Sequence, residues 1–409
     1  MTAASLRFAP EFQLRIRGQA VPATLRASVS SVSYQSGLDG ADRVELALVN
    51  ENLRWLDHPL LALDNELSLS MGYAPDPLEQ VFVGEIIGHS AAFPAGGAPT
   101  LTVVAQDRRH RLQQGTKVRW FAVPINCMGN WPLPDVAVAG IVGLEHGLVP
   151  IFDPISAALS FLIGGAEIAV AQGDPNAMQR LVRKQVSESD FDFLRWIAHE
   201  NGWEVLIDHD GPLGGRKLRF LSLAEHLAAD LTLKYGQSLI DFSPRITAVG
   251  QVARIAVRFW VPEIKMDFTV TIGWDWDRNS LNVSISPGFG TPAGTPGTDD
   301  AIRLVDEPVT QFTAPRVVLR KLLARLNQRL TASGSTVGDL RLRAGRVVRL
   351  EGVGEQFGGL YRVTAATSTM DGGGFRTRFE ARKEIWFGSI PLLEQGAVRV
   401  QLQDQQLPA

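Results

Sequence analysis

The most constraining feature of this chain is a series of short segments in which apolar and polar residues alternate, separated by turn residues. Between Glu11 and Asp107, Phe12, Leu14 and Ile16 alternate with Gln13, Arg15 and Arg17. Val44, Leu46 and Leu48 repeat the pattern, as do Leu67, Leu69 and Met71, and residues 81–87 and 101–105 complete the set. Glycine- and proline-rich turns lie at 37–40, 75–77 and 94–97. A period of two buries one face of a strand and leaves the other wet. Strands this short and this regularly spaced predict a closed or nearly closed barrel, which also removes the sheet edges that invite aggregation.

A second β region begins near Leu231. Strands are predicted at 231–234, 246–249, 255–260, 268–272 and 281–285, and later at 347–351, 361–368 and 376–381. The last three echo the first region. There, strands at 66–71, 81–87 and 100–105 enclose a turn at Gly96-Gly97; here, strands at 346–351, 360–368 and 376–381 enclose a turn containing Gly373. Gly352 and Gly354 fall between the first two strands of this meander, and Tyr361 lies at the start of the second. The shared order and approximate spacing predict an internal duplication of one β module.

Between the two regions, residues 186–208 read as a capped helix feeding a strand. Ser187 is the predicted N-cap, with Asp190 three residues on where a capping box usually has Glu. Val186 and Phe191 have the spacing of a hydrophobic staple. Glu188, Asp190 and Asp192 place negative charge at the positive end of the helix dipole. Phe191, Leu194, Ile197 and Ala198 form the apolar stripe, which Phe193 and Trp196 widen. Gly202 follows Asn201 as the left-handed C-terminal residue. Trp203, Val205 and Ile207 then alternate as a strand, with 217–221 as its partner. Upstream, Pro134-Asp135 opens a helix through Val136, Val138, Ile141 and Leu144 that ends at Gly147. Downstream, 287–298 is a low-complexity loop, and 314–331 is a predicted helix with a leucine-rich stripe and an arginine-rich opposite side.

At 409 residues the chain exceeds one ordinary core, so two to three domains are expected. With 40 basic and 43 acidic residues there is no basic excess for dedicated nucleic-acid binding. Cys127 is the only cysteine, which excludes an intrachain disulfide and fits folding in a reducing compartment. The first residues lack the basic start and apolar run of a secretory signal. The segment 155–171 is apolar but short for a membrane span and carries Glu167, so a buried or subunit-contact helix is expected.

Catalytic patterns are missing. No His-Glu-x-x-His, Cys-x-x-Cys or Gly-x-Ser-x-Gly spacing occurs. The glycine-rich 352–358 joins two strands instead of opening a helix, so it does not cradle phosphate. Asp275 and Asp277 could form a carboxylate pair but fit a turn after a strand better. No catalytic residue, cofactor or metal is assigned.

The segment from Ser187 to Leu194, followed by His199-Glu200-Asn201-Gly202-Trp203, resembles phage tail hub proteins of the late control gene D group, which are related to the hub part of type VI secretion spikes. The run from Asp107 to Leu112 is similar to that family's end of a first barrel. Leu342 to Val348, Gly352-Val353-Gly354, Gly359 to Val363 and Asp371 to Ala381 are similar to its C-terminal barrel. The resemblance spans most of residues 12–383. It implies a homotrimeric baseplate hub, with two similar barrels per chain matching a hexameric tail tube on one side and a trimeric spike on the other. The implied partners are further copies of the chain, a tail tube or tube-initiator protein, a spike protein and other baseplate proteins. Nucleic-acid recognition is not implied, and membrane contact is disfavoured. The connection at 155–177 is expanded relative to the family. Nothing after Lys383 resembles the fused needle of type VI spikes, so a separate spike protein is expected. Synthesis in the bacterial cytoplasm without a signal peptide, then assembly into the baseplate of a tail or tail-like particle, follows from the same resemblance.

The expected fold class is α+β, mainly β: two similar antiparallel β-barrel modules joined by a central α/β region with a helical apolar insertion. The expected boundaries are 1–112 for the first barrel, 113–178 for the connecting region, 179–230 for the central helix and strands, 231–386 for the second barrel and 387–409 for a tail. Two other functions stay open at this stage. One is a tail-associated cell-wall hydrolase using Asp275 and Asp277; the other is a membrane-interacting, pore-lining component acting through 155–171.

Overall fold

The computed structural model describes residues 9–125, 129–171, 175–222, 228–247, 254–261, 266–275, 280–287, 302–305, 327 and 329–384. The protein is mainly β. The first region contains β1 (Ala9–Ile16), β2 (Gln19–Ala20), β3 (Val29–Gly37), β4 (Arg43–Val49), β5 (Glu66–Ala74), β6 (Glu79–Ala92) and β7 (Thr100–Gln106), with a short α1 (Ala23–Ser28) before β3. These strands pair antiparallel in the order β3-β4-β7-β6-β5-β1-β2. The alternating residues do what their period requires: Leu14, Leu46, Leu69 and Val103 all enter one buried core with Phe82. Burying each such side chain contributes about 1.5–3 kcal/mol relative to exposure.

The central region holds α2 (Arg109–Leu112), β8 (Lys117–Ile125), β9 (Gly129–Pro132), α3 (Asp135–Glu145), β10 (Val149–Phe152), α4 (Pro154–Ala171), α5 (Pro175–Leu181), β11 (Arg183–Glu188), α6 (Asp190–Asn201), β12 (Trp203–Asp208) and β13 (Lys217–Ser222). Two small sheets form here, β11-β8-β9 and β10-β13-β12, and β12 pairs with β13 as expected. Phe191, Phe193, Leu194 and Ile197 of α6 meet Val138 and Val142 of α3 in a second core. Phe193 stacks on Phe121 with ring centres 5.3 Å apart. The apolar segment at 155–171 is the helix α4, and no helix among the described residues is long and apolar enough to cross a membrane.

Three local expectations change. The helix cap is Ser189, whose Oγ accepts from Asp192 N–H at 3.1 Å, while Ser187 sits in β11 at φ +56°. The ladder between β11 and β8 continues to Glu188, with a bulge between Val186 and Glu188, so the strand claims the residues that would have opened the helix. Val186 is exposed, which removes the staple. On α3 the buried face is Val138, Ala139 and Val142, while Ile141 and Leu144 face outward.

The second region contains β14 (Leu231–Lys234), β15 (Leu239–Ile246), β16 (Arg254–Val261), β17 (Met266–Asp275), β18 (Ser280–Pro287), β19 (Ile302–Val305), β20 (Leu330–Val337), β21 (Val347–Glu351), α7 (Gly354–Phe357), β22 (Gly359–Asp371) and β23 (Gly374–Arg382). β16–β19 form a separate four-stranded sheet. The strand predicted at 246–249 lies earlier, at Leu239–Ile246. Of the predicted helix at 314–331, residues 314–326 lie outside the described residues, and Leu330 and Thr331 begin β20 instead. The predicted loop at 287–298 and the tail at 387–409 also lie outside them, apart from Pro287, which ends β18. Leu233, Leu350, Tyr361, Val363 and Phe379 build a third core.

The two β regions are not separate barrels. β22 pairs antiparallel with β3, from Ala365 opposite Gly37 to Met370 opposite Val32, and one 13-stranded sheet runs through both halves. Among the described residues, strand pairing closes neither half into a ring. The cause lies in strand length. β22 has 13 residues and β21 has 5, so β22 outruns β21 and its free length takes β3 as a neighbour.

Candidate assembly site

Five strands in each half share one pairing order: β3-β4-β7-β6-β5 and β15-β20-β23-β22-β21, every adjacent pair antiparallel. The register is also the same. Val44 stands between Tyr34 and Ala105, and Ala332 between Pro244 and Ala381. Ala105 faces Ile86 as Ala381 faces Val363; Leu67 faces Gly84 as Val348 faces Tyr361. Bulges fall at matching places. Ser30 is the extra residue of β3 and Ile240 of β15; Ile87 is the extra residue of β6 and Thr364 of β22. A bulge sharpens local twist, so these positions bend both halves alike. The outermost strands differ: β1 joins β5 antiparallel, whereas β14 joins β21 parallel.

A buried ionic cluster ties the first half to the central region. The Arg109 guanidinium is fully buried. It donates to Asp107 at 2.9 Å, to Asp42 at 2.5 Å, and to the carbonyls of Gly37 and Val205 at 3.2 Å each. Tyr34 Oη donates to Asp42 at 3.0 Å. Val83 N–H donates to His209 Nδ1 at 3.1 Å, so a neutral ring carries its proton on Nε2, which lies 3.2 Å from Asp42. Burial alone would raise the Asp42 carboxyl; Arg109, with His209 and Tyr34, instead holds it below its usual value. Burial, then the Asp42 charge, pushes the Tyr34 phenol well above its own. The donor atoms of Asp42, Asp107 and His209 lie within 4.8 Å of one another, a spacing that could hold a cation. The Arg109 guanidinium already bonds both carboxylates, and the arrangement acts as a lock. Next to it, Arg343 reaches Asp210 at 3.0 Å and Arg346 reaches Asp230 at 3.1 Å, which brings the second half to the same junction.

The predicted site residues fall into two groups that the fold keeps apart. In the first, Asp190 is more than a dipole partner. Its carboxylate is buried between Arg119, Lys117 and His146, each at 2.7 Å, and accepts from Gln185 at 3.0 Å. Burial would raise this carboxyl, but the hydrogen bonds from Lys117, His146 and Gln185, and the Arg119 charge, lower it to about 2. Phe191, Phe193 and Leu194 are core residues. Trp196 is 40% exposed and carries the Arg183 guanidinium 5.0 Å over its ring, so it covers the flank of the stripe. Gly202 ends α6 at φ +70°, as the sequence required. In the second group, Gly352 and Gly354 take positive φ around the single turn of α7, and Tyr361 is buried with its Oη donating to Phe357 O at 2.7 Å. Gly373 N–H donates to Asp371 Oδ1 at 2.7 Å in the β22–β23 turn. Asp275 ends β17, and Asp277 lies outside the described residues. Asp42, Arg109 and His209 lie far apart in the chain and were not predicted as a unit. The available signal was the charge-dense run Asp107-Arg108-Arg109 directly after an apolar strand.

Exposed apolar side chains gather on the small β11-β8-β9 sheet, where Val118 and Trp120 point outward and Val118 stands opposite Val186. α4 presents Phe161 and Leu162 outward. Both are surfaces a partner could cover.

No family model and no curated protein matches the chain. Solved structures do. The 43 kDa tail protein of prophage MuSo2 from Shewanella oneidensis matches with a TM-score of 0.59 at 11% identity, covering 92% of this chain and 99% of that one. This is the fold of a phage tail protein. A tail protein from Neisseria meningitidis matches with a TM-score of 0.57 at 9% identity, over 93% and 98% of the two chains. An Escherichia coli component of the type VI secretion system, described as structurally similar to the T4 tail proteins gp27 and gp5, matches with a TM-score of 0.55 at 13% identity, over 92% and 79%. The tail-protein fold thus extends over nearly the whole chain, central region included.

Proposed function

We propose that this chain is a structural baseplate hub of a contractile phage tail or tail-like injection system. It works as a homotrimeric adaptor between a hexameric tail tube and a separate trimeric spike. The observation that carries this reading is the register-matched pair of five-stranded halves. Three chains would present six equivalent modules to a six-fold tube, while the chain as a whole keeps three-fold symmetry for a spike. The tail-protein fold supports the setting, and the buried lock at Arg109 suits a part that must transmit load without shearing. On this reading residues 1–112 and 231–386 are the two hub modules, and 113–230 is the central region that braces them. The exposed apolar faces of β8, β11 and α4 are the surfaces offered to other baseplate proteins. Assembly follows synthesis in the bacterial cytoplasm.

Co-expression with the tube and spike proteins of the parent particle tests the reading. Co-purification with both, and three-fold density where tube meets spike in electron images, is the expected result. A chain that stays monomeric by light scattering and captures neither protein overturns it.

A further inference from the structure

The long strand β6 repeats the geometry of β22. Its first half pairs with β5, but it has 14 residues and outruns β5, just as β22 outruns β21. On β22 the free length is taken by β3 of the first half. The register match puts His89 to Ala92 of β6 at the places of Ala366 to Thr369, and β15 at the place of β3. Among the described residues, neither the side of this stretch of β6 that faces away from β7 nor the outer side of β15 has a strand partner. The burial contrast follows the same line. Met370 is 7% exposed within the joined ladder, while Phe93 at the matching place is 61% exposed. Ser36 is 5% exposed and its counterpart Ile246 is 40%. Two apolar residues are therefore wet on edges whose counterparts are buried.

We infer that β6 of one copy pairs antiparallel with β15 of the next copy, in the register of the internal β22–β3 ladder: His89 opposite Ile246, Ser90 opposite Arg245, Ala91 opposite Pro244 and Ala92 opposite Ser243. The contact is head-to-tail, since each copy offers two different edges, and a head-to-tail contact closes into a ring or grows into a filament according to its rotation. The number three rests on the proposed hub; the edges and the register do not. Pro244 stands where Tyr34 stands in the internal ladder, and its nitrogen has no hydrogen to give, so that rung has one donor fewer. A proline on an open edge also discourages pairing with unrelated strands before the correct neighbour arrives.

The test uses the full chain with Cys127→Ser, so that only introduced thiols react. Directly opposed residues across an antiparallel pair come within disulfide reach, and a one-residue slip turns one of them to the other face. His89→Cys/Ile246→Cys and Ser90→Cys/Arg245→Cys are the matched pairs; His89→Cys/Arg245→Cys is the slipped control. Mild oxidation is expected to link both matched pairs into covalent three-copy species and to leave the control unlinked. Trimers by light scattering with no linkage from either matched pair overturn the edge assignment and leave the hub reading standing. Monomers without linkage overturn both, and equal linkage from the slipped pair overturns the register.

Discussion

Across the β4–β7 ladder, Leu46 stands opposite Val103; at the same place in the second half, Gly334 stands opposite Phe379. A Cβ on Gly334 would lie 2.8 Å from the Phe379 ring, so the large residue has moved to the other strand and the small one has made room. Charge is exchanged in the same way. Glu85 of β6 accepts from Arg111 at 2.9 Å, with Arg108 3.8 Å away. At the matching place in β22 stands Arg362, paired at 2.8 Å with Glu384, which occupies the counterpart position of Arg108. The two halves thus share backbone pairing and bulges while their side chains differ in complementary pairs. Core volume and charge balance are what a buried ladder must conserve, and identity is free to drift around them.

The largest expected effect probes what only the first half is seen to contain. Arg109→Met leaves Asp42 and Asp107 buried without their cation and should cost about 3–5 kcal/mol in denaturant unfolding. Glu384→Gln strips Arg362 of its carboxylate and should cost about 3 kcal/mol. A reversed pair, Arg362→Glu with Glu384→Arg, which copies the first half, should recover part of that. Next, Gly334→Leu should destabilise by about 1–3 kcal/mol through overpacking. Adding Phe379→Val reproduces the Leu46–Val103 pair and should show a coupling of at least about 1 kcal/mol in a double-mutant cycle; simple additivity would break the comparison.

A smaller effect concerns acid stability. Asp190 titrates at about 2 in the folded chain, below the ~3.9 of an unfolded one, so the unfolded state binds its proton first. Its contribution is full above about pH 4 and fades as pH falls towards 2. Asp190→Asn should therefore lower stability at pH 7 and flatten the fall between pH 4 and 2 by about 1–2 kcal/mol. The smallest effects separate the two candidate caps. Ser189→Ala should cost about 1 kcal/mol, whereas Ser187→Gly should stabilise by a few tenths, because Ser187 holds a positive φ that glycine adopts freely.

Much of the ladder was legible in the sequence. Strands β4 to β7 and β21 to β23 carry large apolar residues at period two, and their repeated order agrees with the pairing order the two halves share. β3, β15 and β20 were missed or misplaced for physical reasons. Val29–Gly37 and Leu330–Val337 are dominated by Ser, Thr, Gly and Ala, which give no apolar alternation although the ladder holds them. The helix cap was ambiguous for a different reason. Ser187 and Ser189 are each followed three residues later by an aspartate, and only the pairing of β11 with β8 decides between them. Asp190 looked like a dipole partner because Lys117 and Arg119 come from β8 and His146 from the end of α3, far away in sequence. The joining of the halves through β22 and β3 depends on two strand lengths and on which edge is left over, which local pattern does not encode.

Amide hydrogen exchange, compared between the assembled protein and the dissociated chain, tests the central claim most directly. In the dissociated chain the amides of residues 366–369 should be protected by β3, while those of 89–92 that point away from β7 exchange freely. In the assembled protein the corresponding amides of the two stretches should exchange equally slowly, with that of Ile246, which points away from β20, slowing alongside them. Residues 89–92 remaining fast after assembly would contradict the account.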